Sequence, residues 1–143
     1  MSPTTSPKDE NLVAYCGLYC GDCFSYQGRI ADMARDLRKE LRKAKFDRVS
    51  EGIPFKEFQH YKECYDVLGA MVRLRCKNGC RSGGGNPFCN MRKCCNQKGM
   101  DGCWQCNDFE TCKKLATLTP IHCDEHVKNL RKISKKGMEG FLK

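Results

Sequence analysis

The sequence predicts a mainly α fold: a small helical domain with a cysteine-rich, metal-stapled irregular segment. Three observations carry this expectation. Two long segments place apolar residues at helical spacing, and no period-two strand pattern runs for more than a few residues. Thirteen of the 143 residues are cysteine, the density of a cross-linked scaffold. Residues 76–112 contain no Leu, Ile or Val yet hold eight of those cysteines. Such a segment cannot offset its ordering entropy by apolar burial, so metal coordination is the expected source of its order.

Taken in order, residues 1–12 are polar and proline-punctuated and read as a flexible N-terminal tail. Residues 13–143 read as a single cysteine-rich metal-binding domain, since 143 residues correspond to one domain. The tail lacks a basic stretch followed by an apolar one, so no secretory signal is expected. No apolar run is long enough to span a bilayer. A cytoplasmic location follows as the expectation, where thiols stay reduced and available to metal. An odd cysteine count also sits poorly with a closed disulfide framework.

The stretch "AYCGLYCGDCFSY" follows, with Cys16, Cys20 and Cys23 in a C-x3-C-x2-C arrangement. That spacing is similar to the cluster-binding signature of radical S-adenosylmethionine enzymes, but the chain is too short for their partial β/α barrel and lacks its strand–helix alternation. It is equally an ordinary opening of a zinc site. Next, Ile30, Met33, Leu37 and Leu41 recur at helical spacing and predict an amphipathic helix over 28–46. Its Arg and Lys residues read as a solvated face. "SEGIP" breaks the chain. Phe55, Phe58, Tyr65, Leu68 and Val72 then trace a second helix over 54–74, with Pro54 suited to its first turn. His60 and Cys64 within it read as a surface side chain and a small buried hydrophobe. At the C-terminus, Thr119 as N-cap and Pro120 open a helix with Val127, Leu130 and Ile133 on its apolar face, and Gly137 can end it. His122 and His126 stand four apart there, beside Cys123; a metal pair is conceivable, without the Glu of a metallopeptidase.

The chemistry concentrates in cysteine pairs. "CGDC" (Cys20, Cys23) and "CWQC" (Cys103, Cys106) have the tightest zinc spacing. "CKNGC" (Cys76, Cys80) is wider, and its Gly79 eases a backbone that wraps toward an ion. "CNMRKC" (Cys89, Cys94) leads from loop into a short helix, and Cys112 follows Asp108, a good cap. The expected ligands are Cys16, Cys20, Cys23, Cys76, Cys80, Cys89, Cys94, Cys103, Cys106 and Cys112, shared among at least two ions. The first three are expected to combine with a thiolate from beyond residue 75. Cys95 reads as free or packed, because neighbouring cysteines rarely reach one ion together. "SGGGN" reads as a loop, not a phosphate cradle, and Trp104 as a shield over a site. The expected metal is Zn2+, with a [4Fe-4S] cluster as the alternative, since four cysteines hold either.

Formal charge is +9, and two tetrathiolate sites would lower it to about +5, which weakens any nucleic-acid argument. The leading reading is a structural zinc domain whose helices face another protein. Alternatives are an iron–sulfur protein in anaerobic electron transfer and a basic zinc-dependent nucleic-acid-binding module with no recognisable reading helix. A thiol enzyme using Cys95 or Cys123 is a further one, for which no activating base is visible.

These motifs also carry a resemblance. "CGLYCGDCFSY" is similar to the opening "CGLxCxxCxxY" of the cysteine-rich domain of unknown function 3795 family. "CRSGGG…FCNMRKCCNQKGMDGCWQCNDFETC" resembles that family's middle block, and "NLRKISKKGMEGFLK" its closing helix. "CKNGC" and "FETC" depart from the family's shorter forms. The resemblance implies a small metal-binding domain, usually taken to bind zinc, with no established activity.

Overall fold

The computed structural model describes residues 8–143. It is mainly α: the described residues form helices and 3-10 turns, and the nearest approach to a sheet is one isolated antiparallel bridge, Val13–Tyr19. The chain divides into two compact units. One is Phe24–Cys76 (the helical unit) and the other combines residues 8–23 with 77–143 (the cysteine unit).

In the helical unit a short α1 (Phe24–Gln27) precedes α2 (Arg29–Lys43). The helix predicted to reach residue 46 stops three residues earlier. Lys45 adopts a left-handed conformation (φ 51) and a separate α3, Phe46–Gly52, follows. A 3-10 turn, Lys56–His60, then leads into α4, Tyr61–Arg73, so the second predicted helix is α-helical only from Tyr61 onward. Phe46 packs edge-on against Phe58 at 5.5 Å and at a tilt against Tyr61 at 5.2 Å. The Arg38 guanidinium lies over the Tyr65 ring at 4.2 Å, a desolvated cation–π contact that ties α2 to α4.

The apolar stripe of α2 is not the face this unit buries. α2 packs on α4, and its buried residues are Ala31 and Ala34, whereas Ile30, Met33 and Leu37 are exposed. Periodicity marks an amphipathic helix, but small residues permit close helix–helix approach and so take the contact. At the ends of the unit, Arg75 pairs with Asp32, and the Cys76 N–H donates to the Ser25 carbonyl at 2.9 Å.

The cysteine unit starts with a 3-10 turn, Glu10–Leu12, capped by the Asp9 side chain. Tyr19 Oη accepts from the Asp9 N–H at 2.9 Å. Residues 9–12 are thus anchored and do not continue the expected tail, whose first seven residues lie outside those described. Gly17 then turns the chain back at φ +91, and a Cβ there would stand 2.9 Å from Leu130. Both the positive φ and the close approach require glycine.

Beyond residue 77 come α5 (Asn90–Lys98), α6 (Lys113–Ala116), α7 (Thr119–His122) and α8 (Glu125–Leu142). Thr119 is the first residue of α7 and not its cap. Cys123, at φ 53, breaks what reads as one C-terminal helix. Gly137 departs from helical geometry inside α8, yet the helix resumes as far as Leu142. The apolar core is built by the flanks: Val13, Ile133 and Phe141, with Tyr19, Trp104, Met138 and Leu142 packed around them. Leu115 and Leu130 are also buried. From residues 76–112 the buried side chains are Met91, Cys95 and Cys103; most of that short list is thiol.

Candidate metal centre

All thirteen cysteines are free thiols. Nine of the ten expected ligands belong to the cysteine unit, and Cys76 closes the helical unit through its bond to Ser25. Gly79 has a positive φ (76), open to glycine, at the point where the chain brings Cys80 to Cys20. The Cys80 N–H donates to Cys20 Sγ at 3.3 Å, across 60 residues of chain. One member of the first cluster, Cys20, therefore lies beside a cysteine from beyond residue 75.

The electrostatics here are uneven. Hydrogen bonds from the Cys80 side chain, opposed by burial and assisted by the Cys80 N–H and the Arg81 charge, lower the Cys20 thiol to about 6. Cys16 is pushed up to about 11, mainly by burial and further by the charges of Cys89 and Cys20. Cys23 is half-buried.

A second gathering surrounds Cys103. Cys94, Cys103, Cys106 and Cys112 line one cavity of about 230 Å³, together with Met91, Met100 and Leu115. Cys95 is completely buried, and its sulfur lies 3.7 Å from Cys103 Sγ. Burial raises the pKa of both thiols, and the Cys95 charge pushes Cys103 further up. Around a tetrahedral zinc with bonds of about 2.3 Å, two thiolates stand about 3.8 Å apart, so this pair has the spacing of ligands. Cys95 is thus packed, as its place beside Cys94 leads one to expect; on α5, consecutive side chains point about 100° apart, so Cys94 lines the cavity while Cys95 faces Cys103. Its eight-residue separation from Cys103 gave no motif to find it by.

Among the described residues no three His, Cys, Asp or Glu side chains converge on one point as they would around an ion. The thiols approach in pairs and share a cavity. Their chemistry fits a soft or borderline metal, and mutual repulsion among buried thiolates is what a cation relieves.

The surrounding groups hold these loops in place. Arg92 donates to the Cys80 carbonyl (2.7 Å), the Gly84 carbonyl (2.8 Å) and the Asn86 carbonyl (2.9 Å). The "SGGGN" loop thus turns carbonyls toward a guanidinium, the reverse of a phosphate cradle. Arg81 donates to the Val13 carbonyl at 3.0 Å and covers the rings of Tyr15 (4.3 Å) and Trp104 (5.6 Å). The larger groove of the helical unit, about 1050 Å³, sets Arg42, Lys56 and Lys62 against Asp47 and Glu51. That mixed rim selects no ligand charge.

The His122–His126 register is lost at Cys123, because the helix breaks between them. His126 is 1 % exposed, bonded to the Leu115 backbone, and its Nδ1 has no partner. Burial is the main cause that lowers its pKa, with His122 adding to it and Asp124 and Glu125 opposing. In the unfolded chain His126 binds a proton near the ordinary value of about 6.5, while the folded chain resists it until lower pH. Stability should therefore fall as pH drops below about 6.5. Urea midpoints at about pH 7.5 and about pH 5.5 check this: wild type should lose more than His126→Gln. Equal losses would show that His126 takes no part.

Helices joined by short turns around clustered free thiols define a small, cysteine-rich helical protein. Its chain belongs to the family described as "Protein of unknown function (DUF3795)", whose model matches residues 12–117. The match ends before α8. No curated protein and no solved structure matches the chain. Among the described residues no helix is long and apolar enough to cross a membrane.

Proposed function

We propose that this protein is a structural metal protein, with zinc as the metal, in which thiolates of the cysteine unit replace a missing apolar core. The helical unit then presents a surface to a protein partner. The observation that carries the reading is the cavity shared by Cys94, Cys103, Cys106 and Cys112, in a segment with almost no apolar burial of its own. Cys95 stands against Cys103 as a further donor. Cys16, Cys20 and Cys23 would supply the other centre, with Cys80, which reaches Cys20, and Cys89, whose charge acts on Cys16, as the donors from beyond residue 75. Zinc with four thiolates has no open position and no redox chemistry, so it supplies cross-linking. What the chain's own residues do is position sulfur: Gly79 and Arg92 set the 80–86 loop, and α5 spaces Cys94 from Cys95.

Elemental analysis of protein purified without oxygen, with a visible spectrum, tests this. The expected result is about two zinc ions per chain and no colour. Stoichiometric iron and sulfide with a brown chromophore would replace zinc by a cluster. Protein free of metal would overturn the reading.

A further inference from the structure

The helical unit does not close its own apolar surface. Its buried residues are small (Ala31, Ala34, Ser50 and two glycines). Of the ten large hydrophobic residues exposed among the described residues, eight lie within Phe24–Cys76. Three of them share one line of α2: Ile30 at 45 %, Met33 at 62 % and Leu37 at 48 % exposure. Steps of three and four residues place such side chains on a single seam, the pattern by which two helices pair. A patch of this kind marks an interaction site.

We propose that the seam is covered by a second copy of this chain, α2 against α2, antiparallel about a two-fold axis between Met33 and Leu37. In a two-fold contact, residue i meets residue j and j meets i. Setting Met33 opposite Leu37 of the second copy places Ile30 against Glu40 and brings Arg29 beside that Glu40. Arg29 and Glu40 are exposed and take part in no ion pair among the described residues. Their neighbours Asp32, Arg35 and Asp36 are already paired within the chain. The seam is therefore flanked by two complementary, uncommitted charge pairs. Parallel pairing would set Arg29 on Arg29 and Glu40 on Glu40, so the charges select the antiparallel arrangement. This names the partner in the interaction half of the reading above and does not depend on the metal half.

Sedimentation of the full-length protein over about a hundredfold range of concentration tests it. Reductant is needed to keep the exposed Cys64 and Cys123 from cross-linking. Wild type should pass from monomer to dimer. Met33→Glu, at an exposed helical position, should raise the dissociation constant about tenfold or more, with far-UV circular dichroism unchanged. Arg29→Glu should weaken the dimer about tenfold, and the double reversal Arg29→Glu with Glu40→Arg should restore it. A wild type monomeric throughout would overturn the proposal, as would a dimer indifferent to Met33→Glu or a reversal that restores nothing. Metal content measured in the same samples separates the two ideas: a zinc-loaded monomer defeats only this one.

Discussion

A high-affinity zinc chelator should abolish amide protection across residues 76–112 of the full-length protein while α2 and α4 stay protected. The contrast follows from what each segment buries. Residues 76–112 contribute Met91, Cys95 and Cys103 to the interior and leave Phe88 83 % exposed. In zinc-finger peptides a structural zinc site is worth about 10–16 kcal/mol, against a whole-domain stability of about 5–15 kcal/mol. Losing the proposed metal therefore removes more than such a segment can replace. α2 and α4 keep their contact through Arg38, Tyr65 and the small residues of α2. Hydrogen exchange followed by mass spectrometry reads both segments at once. Unchanged protection of 76–112 in metal-stripped protein would show that hydrogen bonds such as those of Arg92 hold the loops alone.

Leu130→Ala should destabilise the protein by about 2–5 kcal/mol, a large share of its total. Leu130 is completely buried on α8, and its side chain abuts the turn at Gly17, whose carbonyl accepts from Asn129 at 2.9 Å. Cutting it back leaves a cavity behind the loop that carries Cys16 and Cys20. Leu74→Ala, at 51 % exposure, is the control and should cost about 0.5 kcal/mol or less. Urea unfolding gives both values. A loss below about 1 kcal/mol for Leu130→Ala would mean that α8 does not anchor the first cysteine loop.

The mainly α class and the two principal helices were legible because periodicity is local: Ile30 to Leu41 and Tyr65 to Val72 declare helix whatever surrounds them. Which stripe is buried was not legible. α2 contacts α4 through Ala31 and Ala34, and nothing in the spacing of Ile30, Met33 and Leu37 says that they face outward. α3 was hidden because its start depends on a left-handed Lys45, a residue type with no preference for that conformation. The break at Cys123 was hidden for the same reason. At the site, residue type was legible and pairing was not. Cys20 meets Cys80 across 60 residues, a relation that short spacings cannot express. Cys95 reads as free or packed from its place beside Cys94 and is packed, but against Cys103, a neighbour that an eight-residue separation does not announce.

The bond from Cys76 to Ser25 has a kinetic meaning as well. It joins the two ends of the helical unit, so the hairpin of α2 and α4 makes contacts that are local in sequence and need nothing from the cysteines. Once that hairpin has formed, the effective chain path from Cys20 to Cys80 shrinks from 60 residues to about nine, and the entropy of closing it falls by about 1.7 kcal/mol. Helix pairing, being local and fast, would thus shorten the slower search of one thiol for another. The insert between Cys23 and Lys77 would act as a folding clasp that draws Cys20 and Cys80 together, and with them the two halves of the proposed donor set.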